Sequence, residues 1–262
     1  MKYLFFDVET TGLWRRDLEA TDPKQPKIVQ IAAQLTDESE KVHAQLACIV
    51  QPDKWTIPKE ASDIHKITDN IALQHGVPLV NVLAMFNSLA AQADVLVAHN
   101  TSFDLQMILR EFNAIGKSFR IPKEQHCTMM TAKDILKLES DFDDYKFPKL
   151  EETYKHFLGS GGYHNWHDAL TDIIICRIIY FHMKAKGIKM EKPRAMPKAL
   201  IKNLDEKIYK EFLNIIESIN EDNLNDWEKG FLNDQKERHE KYKEKILMSD
   251  KQMNILRKMK DK

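Results

Sequence analysis

The chain has 262 residues, 43% of them hydrophobic, with 39 Lys and Arg against 40 Asp and Glu and a net charge of −1. This is enough for one sizeable core with an appendage or for two small domains, and the near-zero charge leaves any nucleic-acid contact to local patches. Cys48, Cys127 and Cys176 are widely spaced with no CxxC pair, which argues against a disulfide framework and a cysteine zinc site. The first apolar run, residues 3–6, is too short for a signal peptide, and no segment approaches the roughly 20 apolar residues of a membrane span. A soluble, cytoplasmic protein with no membrane partner is expected.

Residues 2–7 read as a buried strand, which runs on through Asp7-Val8-Glu9-Thr10-Thr11 and breaks at Gly12. Side chains alternate along a strand, so Asp7 and Glu9 share a face at a spacing of about 7 Å. Two carboxylates beside an apolar strand repel and resist desolvation, so either they are solvated beyond its end or a cation sits between them. Residues 14–26, rich in charge and proline, read as a surface loop that could border a substrate cleft. Residues 27–36 and 41–50 read as two further strands, and their short link predicts antiparallel neighbours.

Residues 79–92 carry apolar positions at helical spacing and residues 94–98 return to a buried strand. A helix follows over 103–115, with Thr101 or Ser102 as its cap and Asp104 in its first turn, where an acid also suits the helix dipole without any further role. Residues 128–138, 148–158 and 165–186 read as helices, the last stopping near Gly187. The order predicts an α/β fold, a mixed sheet covered by helices. Residues 1–186 carry 21 basic and 25 acidic side chains (−4), whereas 187–262 carry 18 and 15 (+3). In the latter, Leu204, Ile208, Phe212, Ile215, Ile216 and Ile219, then Trp227, Phe231 and Leu232, recur at helical spacing. Residues 1–186 are therefore expected as one domain and 187–262 as a helical appendage, with Pro193 and Pro197 at the joint.

The last acidic segment is His164-Asn165-Trp166-His167-Asp168-Ala169-Leu170-Thr171-Asp172, followed by Ile173-Ile174-Ile175-Cys176. Five residues on a helix turn through about 140° beyond a full turn, so His167 and Asp172 cannot both point down one face. Asp172 could face inward while His167, at a frayed start, reaches toward solvent; a capping histidine and an exposed aspartate are the plain alternatives.

Together these segments resemble the DEDD superfamily of 3′→5′ exonucleases, in its histidine-bearing, DnaQ-like branch. The first motif of that branch is matched by Asp7 to Gly12, the second by Ala98-His99-Asn100-Thr101-Ser102-Phe103-Asp104, and the third by His167 with Asp172. The sister branch would need tyrosine at 168, where this chain has Asp168. Ile64-His65-Lys66-Ile67-Thr68 is similar to a His-Gly-Ile-Thr segment of the family, with Lys66 in place of glycine, and Cys127-Thr128 falls where the family has a strand end.

The resemblance covers about residues 1–186 and implies a ribonuclease H-like five-stranded mixed sheet flanked by helices. It implies two divalent cations, Mg2+ with Mn2+ able to substitute: Asp7 bridging, Glu9 and Asp172 completing one, Asp104 holding the other partly through water. An oxygen-rich carboxylate set suits these hard cations. His167 is the implied general base, with His164 next, since an imidazole ordinarily titrates near 6.5. Thr10, Thr11, Gly12, Leu13, His99, Asn100 and Phe103 are implied to line the pocket of the terminal nucleotide, although Phe103 could equally be a core residue of its helix. The expected activity is release of nucleoside 5′-monophosphates from a nucleic-acid 3′ end, single-stranded DNA being favoured and RNA the alternative. A polymerase or other replication protein is a candidate partner for residues 187–262, either for a proofreading enzyme or for a binding module that docks through its helices.

Overall fold

A computed structural model describes residues 1–15, 17–18, 20, 22–117, 119–140, 144–159, 167–194, 206–242 and 250–261. The elements in chain order are β1 (Lys2–Thr10), β2 (Ile28–Asp37), β3 (Val42–Ile49), α1 (Lys59–His65), α2 (Asp69–His75), α3 (Leu79–Ala90), β4 (Val95–Ala98), α4 (Thr101–Ala114), β5 (Glu124–Cys127), α5 (Thr128–Leu136), α6 (Leu150–Leu158) and α7 (Ala169–Ala185). Farther along come α8 (Glu206–Ser218), a 3-10 turn (Glu221–Asn223), α9 (Asp226–Tyr242) and α10 (Asp250–Lys260).

The five strands form one mixed sheet in the order β3-β2-β1-β4-β5. β1 pairs antiparallel with β2 and β2 with β3, while β4 and β5 continue parallel to β1. β1 is central and buried on both faces. Its odd-numbered side chains Tyr3 and Phe5 meet Tyr180 and Phe181 of α7, with ring centroids 5.3 to 5.7 Å apart across the two elements. On the other face Phe6 meets Phe86 of α3 at 5.7 Å. Such ring pairs contribute about 0.5–1.5 kcal/mol each beyond their buried area. They dock α7 against the strand that carries Asp7 and Glu9.

β1 runs past the buried stretch 2–7 to Thr10, just short of the expected break at Gly12, and its pairing with β2 shifts register only between Glu9 and Thr10. The two carboxylates therefore stand within the ladder, and the irregularity re-aims the chain immediately after them. Helix α4 begins at Thr101 itself, two residues before the expected start. Thr101 is not its cap: its hydroxyl donates to the carbonyl of His126 (2.7 Å) and accepts from Ala98 N–H (3.2 Å), tying the turn to β5. Helix α7 begins at Ala169, so His167 precedes it and Asp168 is its N-cap. The expected stretch 165–166 lies outside the described residues.

Helices α1 and α2 were not expected from the sequence. Each is only seven residues long, too short to present a full apolar period. Lys66 joins them in the left-handed conformation (φ 63°), its N–H donating to Ser62 O and its ammonium to Asp63 O. This is the geometry glycine adopts most easily, which explains why the similar family segment has glycine there. The loop 14–26 has no strand or helix among its described residues. It is organised by buried Gln25, which accepts from Arg15 N–H and donates to the carbonyls of Arg15 and Leu18.

The chain divides into two compact units, Met1–Phe112 with Phe119–Ala195, and Asn113–Ser118 with Met196–Lys262. The second has its own core, in which Phe212, Ile215, Ile216, Ile219 and Leu232 pack with Leu224, Met253, Leu256 and Met259. Trp227, expected on the packed face, is 63% exposed and stacks on Phe231. Leu204 and Pro197 lie outside the described residues, as do the side-chain contacts of Ile208.

At Lys66 the left-handed backbone costs a side-chain-bearing residue about 1–2 kcal/mol, partly offset by the greater unfolded-state entropy of glycine. Lys66→Gly is therefore expected to raise the free energy of unfolding by about 0.5 kcal/mol or more. Urea denaturation of the two proteins measures it.

Candidate active site

β1 and β4 run parallel, and the turn after β4 leads directly into α4. This places the first turn of α4 at the carboxyl ends of both strands, where open α/β sheets form their clefts. Asp104, in that turn, is buried, and its Oδ1 accepts the N–H of Val8 at 3.2 Å. One hydrogen bond thus fixes a carboxylate of α4 against the backbone between Asp7 and Glu9.

Asp172 arrives from the other side. It lies in the first turn of α7, and its Oδ2 accepts the N–H of His167 at 3.3 Å. Its Oδ1 is buried without a hydrogen-bond partner among the described residues. His167 stands in the left-handed region (φ 69°), an uncommon conformation for a residue with a side chain. Ligating atoms of Glu9, His167 and Asp172 all lie within 4.8 Å of one another.

The carboxyl groups feel this crowding. Burial, then Asp104, Asp172, Glu9 and Asp168, raise Asp7 well above the carboxylate range. Burial chiefly, with Asp172 and Asp168, pushes Glu9 up to about 8. Asp172 is pushed to about 7 by burial, against the opposing effect of the His167 N–H. Burial also raises Asp104 despite the Val8 hydrogen bond. All four predicted carboxylates and His167 are therefore brought together.

The predicted pocket residues fare differently. Thr10 Oγ1 donates to Gly12 O (2.7 Å), and Thr11 exchanges two hydrogen bonds of 2.9 Å with the backbone of Lys27, so the turn after Glu9 is held in shape. Leu13 at its tip is 83% exposed and Phe103 is half-buried beside Asp104. Asn100 takes φ 78°, a conformation asparagine tolerates, and its carbonyl accepts Phe103 N–H at 2.8 Å. His99 is anchored within the protein through both ring nitrogens. Its Nε2–H donates to Pro148 O (3.0 Å), and its Nδ1 then accepts from Thr128 Oγ1 (2.9 Å). Burial pushes its pKa down to about 4, so both nitrogens of a neutral ring are committed to the protein. His164 lies outside the described residues.

Three residues at the site were given no role by the sequence. Asp168 is a fifth acid, held as the N-cap of α7 by Thr171 N–H (3.1 Å) and Thr171 Oγ1 (2.9 Å). Gln30 bonds both Asp168 and Ala169. A lone glutamine inside the apolar run Ile28-Val29-Gln30-Ile31 was the available signal, because a buried amide needs partners. His65 is 5% exposed; its Nδ1 accepts from Ile67 N–H (3.1 Å), its Nε2 has no hydrogen-bond partner among the described residues, and burial together with His167 lowers its pKa.

The donor set fits divalent cations. Oxygen ligands predominate, one buried carboxylate oxygen of Asp172 has no hydrogen-bond partner among the described residues, and the acids raise one another's pKa, an effect that a cation among them would reverse.

A mixed five-stranded sheet with a cluster of acids at the carboxyl ends of its central strands, and a histidine beside them, defines a ribonuclease H-like α/β protein with a nuclease-type centre. The exonuclease family profile (RNase T) matches residues 4–180, and the chain belongs to that family, with which dependence on divalent metal is associated. The chain is 32% identical over 122 residues to a DNA polymerase III of PolC type from Clostridium perfringens, covering 46% of this chain and 8% of that protein. It is 32% identical over 123 residues to a DNA polymerase III subunit epsilon-like protein of Rhodobacter capsulatus (47% and 16%). It is 30% identical over 112 residues to the DNA polymerase III subunit epsilon of Treponema pallidum (43% and 46%). The aligned part thus spans less than half the length of each of these relatives. Among solved structures, E. coli exonuclease I in complex with a dT13 oligonucleotide superposes with a TM-score of 0.56 at 23% identity, over 70% of this chain and 41% of that one. Its zinc-bound complex with single-stranded DNA gives 0.57 at 21%, over 71% and 40%. At these identities the likeness is one of fold. No helix among the described residues is long and apolar enough to cross a membrane.

Raised carboxyl pKa values have a consequence for stability. A folded-state acid with a raised pKa holds its proton where the unfolded chain has lost it, so stability is full below the ordinary carboxylate range and falls as pH rises through the folded value. With chelator present, resistance to urea is expected to decline between roughly pH 4.5 and 8, the window set by Asp172 at about 7 and Glu9 at about 8. Saturating Mg2+ should remove most of that decline.

Proposed function

We propose that this protein is a two-metal-dependent 3′→5′ exonuclease that hydrolyses the terminal phosphodiester of a single-stranded DNA 3′ end and releases nucleoside 5′-monophosphates. The observation that carries this is the convergence of Asp7, Glu9, Asp104 and Asp172, from three separate elements, beside a histidine pinned to one of them. The preference for DNA rests on the relatives, which are named as DNA polymerase III proteins, and on the oligodeoxynucleotide held by the structural neighbour.

In this reading Asp7, Glu9, Asp104 and Asp172 hold two Mg2+ ions, for which Mn2+ can substitute. When bound, the ions supply positive charge that stabilises the phosphodiester transition state and makes water a better nucleophile. The chain's own groups do the rest. His167 takes a proton from the attacking water as its oxygen bonds to phosphorus; the bond to the departing 3′ oxygen breaks, and that oxygen acquires a proton to become the new 3′-hydroxyl. The His167 N–H on Asp172 holds the base and a metal ligand as one unit. Thr10, Thr11, Gly12 and the exposed Leu13 form the turn against which the terminal nucleotide would lie, with Asn100 and Phe103 opposite; His99 would shape that wall without bonding to the nucleotide.

A second reading adds to the first. Residues 187–262, with a separate hydrophobic core and Trp227 exposed, are proposed as an appendage through which the enzyme docks on a polymerase. It is supported by the names of the relatives. Docking of this kind predicts that a replicative polymerase subunit co-purifies with the full chain and is lost on Trp227→Ala; equal recovery with both would refute it.

The enzymatic reading is tested with 3′-labelled single-stranded DNA, duplex DNA and RNA in Mg2+, with and without chelator. Asp7→Asn is expected to abolish mononucleotide release while remaining folded by circular dichroism, and His167→Gln to slow it by roughly 10²- to 10⁴-fold. Undiminished release by Asp7→Asn would sink the proposal, and faster degradation of RNA would reassign the substrate.

A further inference from the structure

β2 faces β1 in register, and Gln30 lies directly across from Glu9. It is only 9% exposed and on the face of the sheet that meets α7. Its carboxamide spans two consecutive residues at the start of α7: Nε2 donates to Asp168 Oδ1 (3.1 Å), and Oε1 accepts the N–H of Ala169 (3.1 Å). The orientation of this amide is set by the Ala169 N–H, which can only donate and so must face the amide oxygen.

We infer that Gln30 is the positioning residue for His167 and Asp172, locking the N-terminus of α7 so that the base and its neighbouring carboxylate stay in place. This rests on the function proposed above. His167 immediately precedes the residue Gln30 grips, and it occupies a left-handed conformation that a free loop would not keep. Asp172 follows by one helical turn, its N–H on Asp168 O (2.9 Å) and its carboxylate on His167 N–H. The whole segment from His167 to Asp172 thus hangs on Asp168 and Ala169, and the sheet holds these two through Gln30. Gln30 need touch neither substrate nor cation; it acts through the helix.

The chemistry of the position requires an amide. An apolar side chain would leave the Ala169 N–H, one of the unpaired donors of a helix start, without an acceptor, and Asp168 without a donor. Glutamate would accept from Ala169 but set a carboxylate against Asp168, in a region that already holds Asp7, Glu9 and Asp172. An exchange would repair that. With Gln30→Glu and Asp168→Asn together, the amide now on the cap of α7 would donate its N–H to the carboxylate now on β2. The oxygen of that amide would still accept from Thr171, and the carboxylate on β2 would still accept from Ala169. All four hydrogen bonds and the local charge would be regained.

The test uses the full chain with Gln30→Met, Gln30→Glu and the Gln30→Glu/Asp168→Asn exchange. Steady-state kinetics on single-stranded DNA in Mg2+ are combined with Mn2+ titration by electron paramagnetic resonance and with thermal unfolding. Gln30→Met and Gln30→Glu should lose roughly 10- to 100-fold in kcat, the range for a displacement of about an ångström at a reacting group, with KM little changed. They should bind Mn2+ more weakly because Asp172 has moved. The exchange should restore both kcat and Mn2+ affinity to within a few-fold of wild type. Unchanged kcat and Mn2+ affinity in Gln30→Met would overturn the inference, as would a folded exchange variant that regains neither. If the wild type releases no nucleotide at all, the exonuclease reading fails instead; the Mn2+ titrations of the same variants still decide whether Gln30 positions Asp172.

Discussion

Mutual repulsion among carboxylates is the constraint around which this domain is built. Asp7, Glu9, Asp104, Asp168 and Asp172 come from a strand, two helices and a helix cap, and burial and the neighbouring acids together raise Asp7, Glu9, Asp104 and Asp172. Nothing about their charges would bring them together; the surrounding apolar structure must. The Tyr3, Phe5, Tyr180 and Phe181 rings dock α7 on β1, and the Phe6–Phe86 contact seats α3 on the opposite face. Hydrogen bonds then set three of the acids: Val8 N–H on Asp104, His167 N–H on Asp172, and Gln30 with Thr171 on Asp168. Each such bond contributes about 0.5–1.5 kcal/mol, which offsets part of the cost of burial. A divalent cation would remove much of what remains.

The same constraint accounts for the irregular backbone beside the acids. β1 stays regular through Glu9 and loses register only at Thr10, so the strand delivers two acids to one face before the chain turns away. His167 and Asn100 take positive φ on either side of the cluster. At Asn100 the residue type suits the conformation. At His167 the conformation is held by the N–H on Asp172 and by the N-cap of α7 that follows.

What could be read from the sequence follows from this division. The strands β1 to β4 and the longer helices α3, α4 and α7 were legible because buried elements carry their period in apolar residues. The four carboxylates and His167 were legible through spacing and resemblance. Helices α1 and α2 were not, since seven residues give too little periodicity. Nor was the commitment of His99, whose partners Thr128 and Pro148 lie 29 and 49 residues away. Trp227 matched a helical period yet is exposed, because spacing marks a candidate face without saying whether anything covers it. Gln30 and Asp168 are separated by 138 residues and meet only through the sheet–helix packing. The sequence hint at Gln30 was a polar residue where burial was expected.

The spacing of five between His167 and Asp172 has a physical origin in this geometry. Asp168 caps α7, so the helix begins at Ala169 and its fourth residue, Asp172, points its carboxylate back past the helix start. There it accepts the N–H of His167, a residue of positive φ. One residue fewer would bring the cap itself to that place; one more would rotate the carboxylate about 100° around the helix, away from Glu9. The pair therefore works as a closed loop in which a strained backbone, a cap and a first-turn acid define one another. The imidazole is presented beside Glu9 as a consequence of how the helix begins.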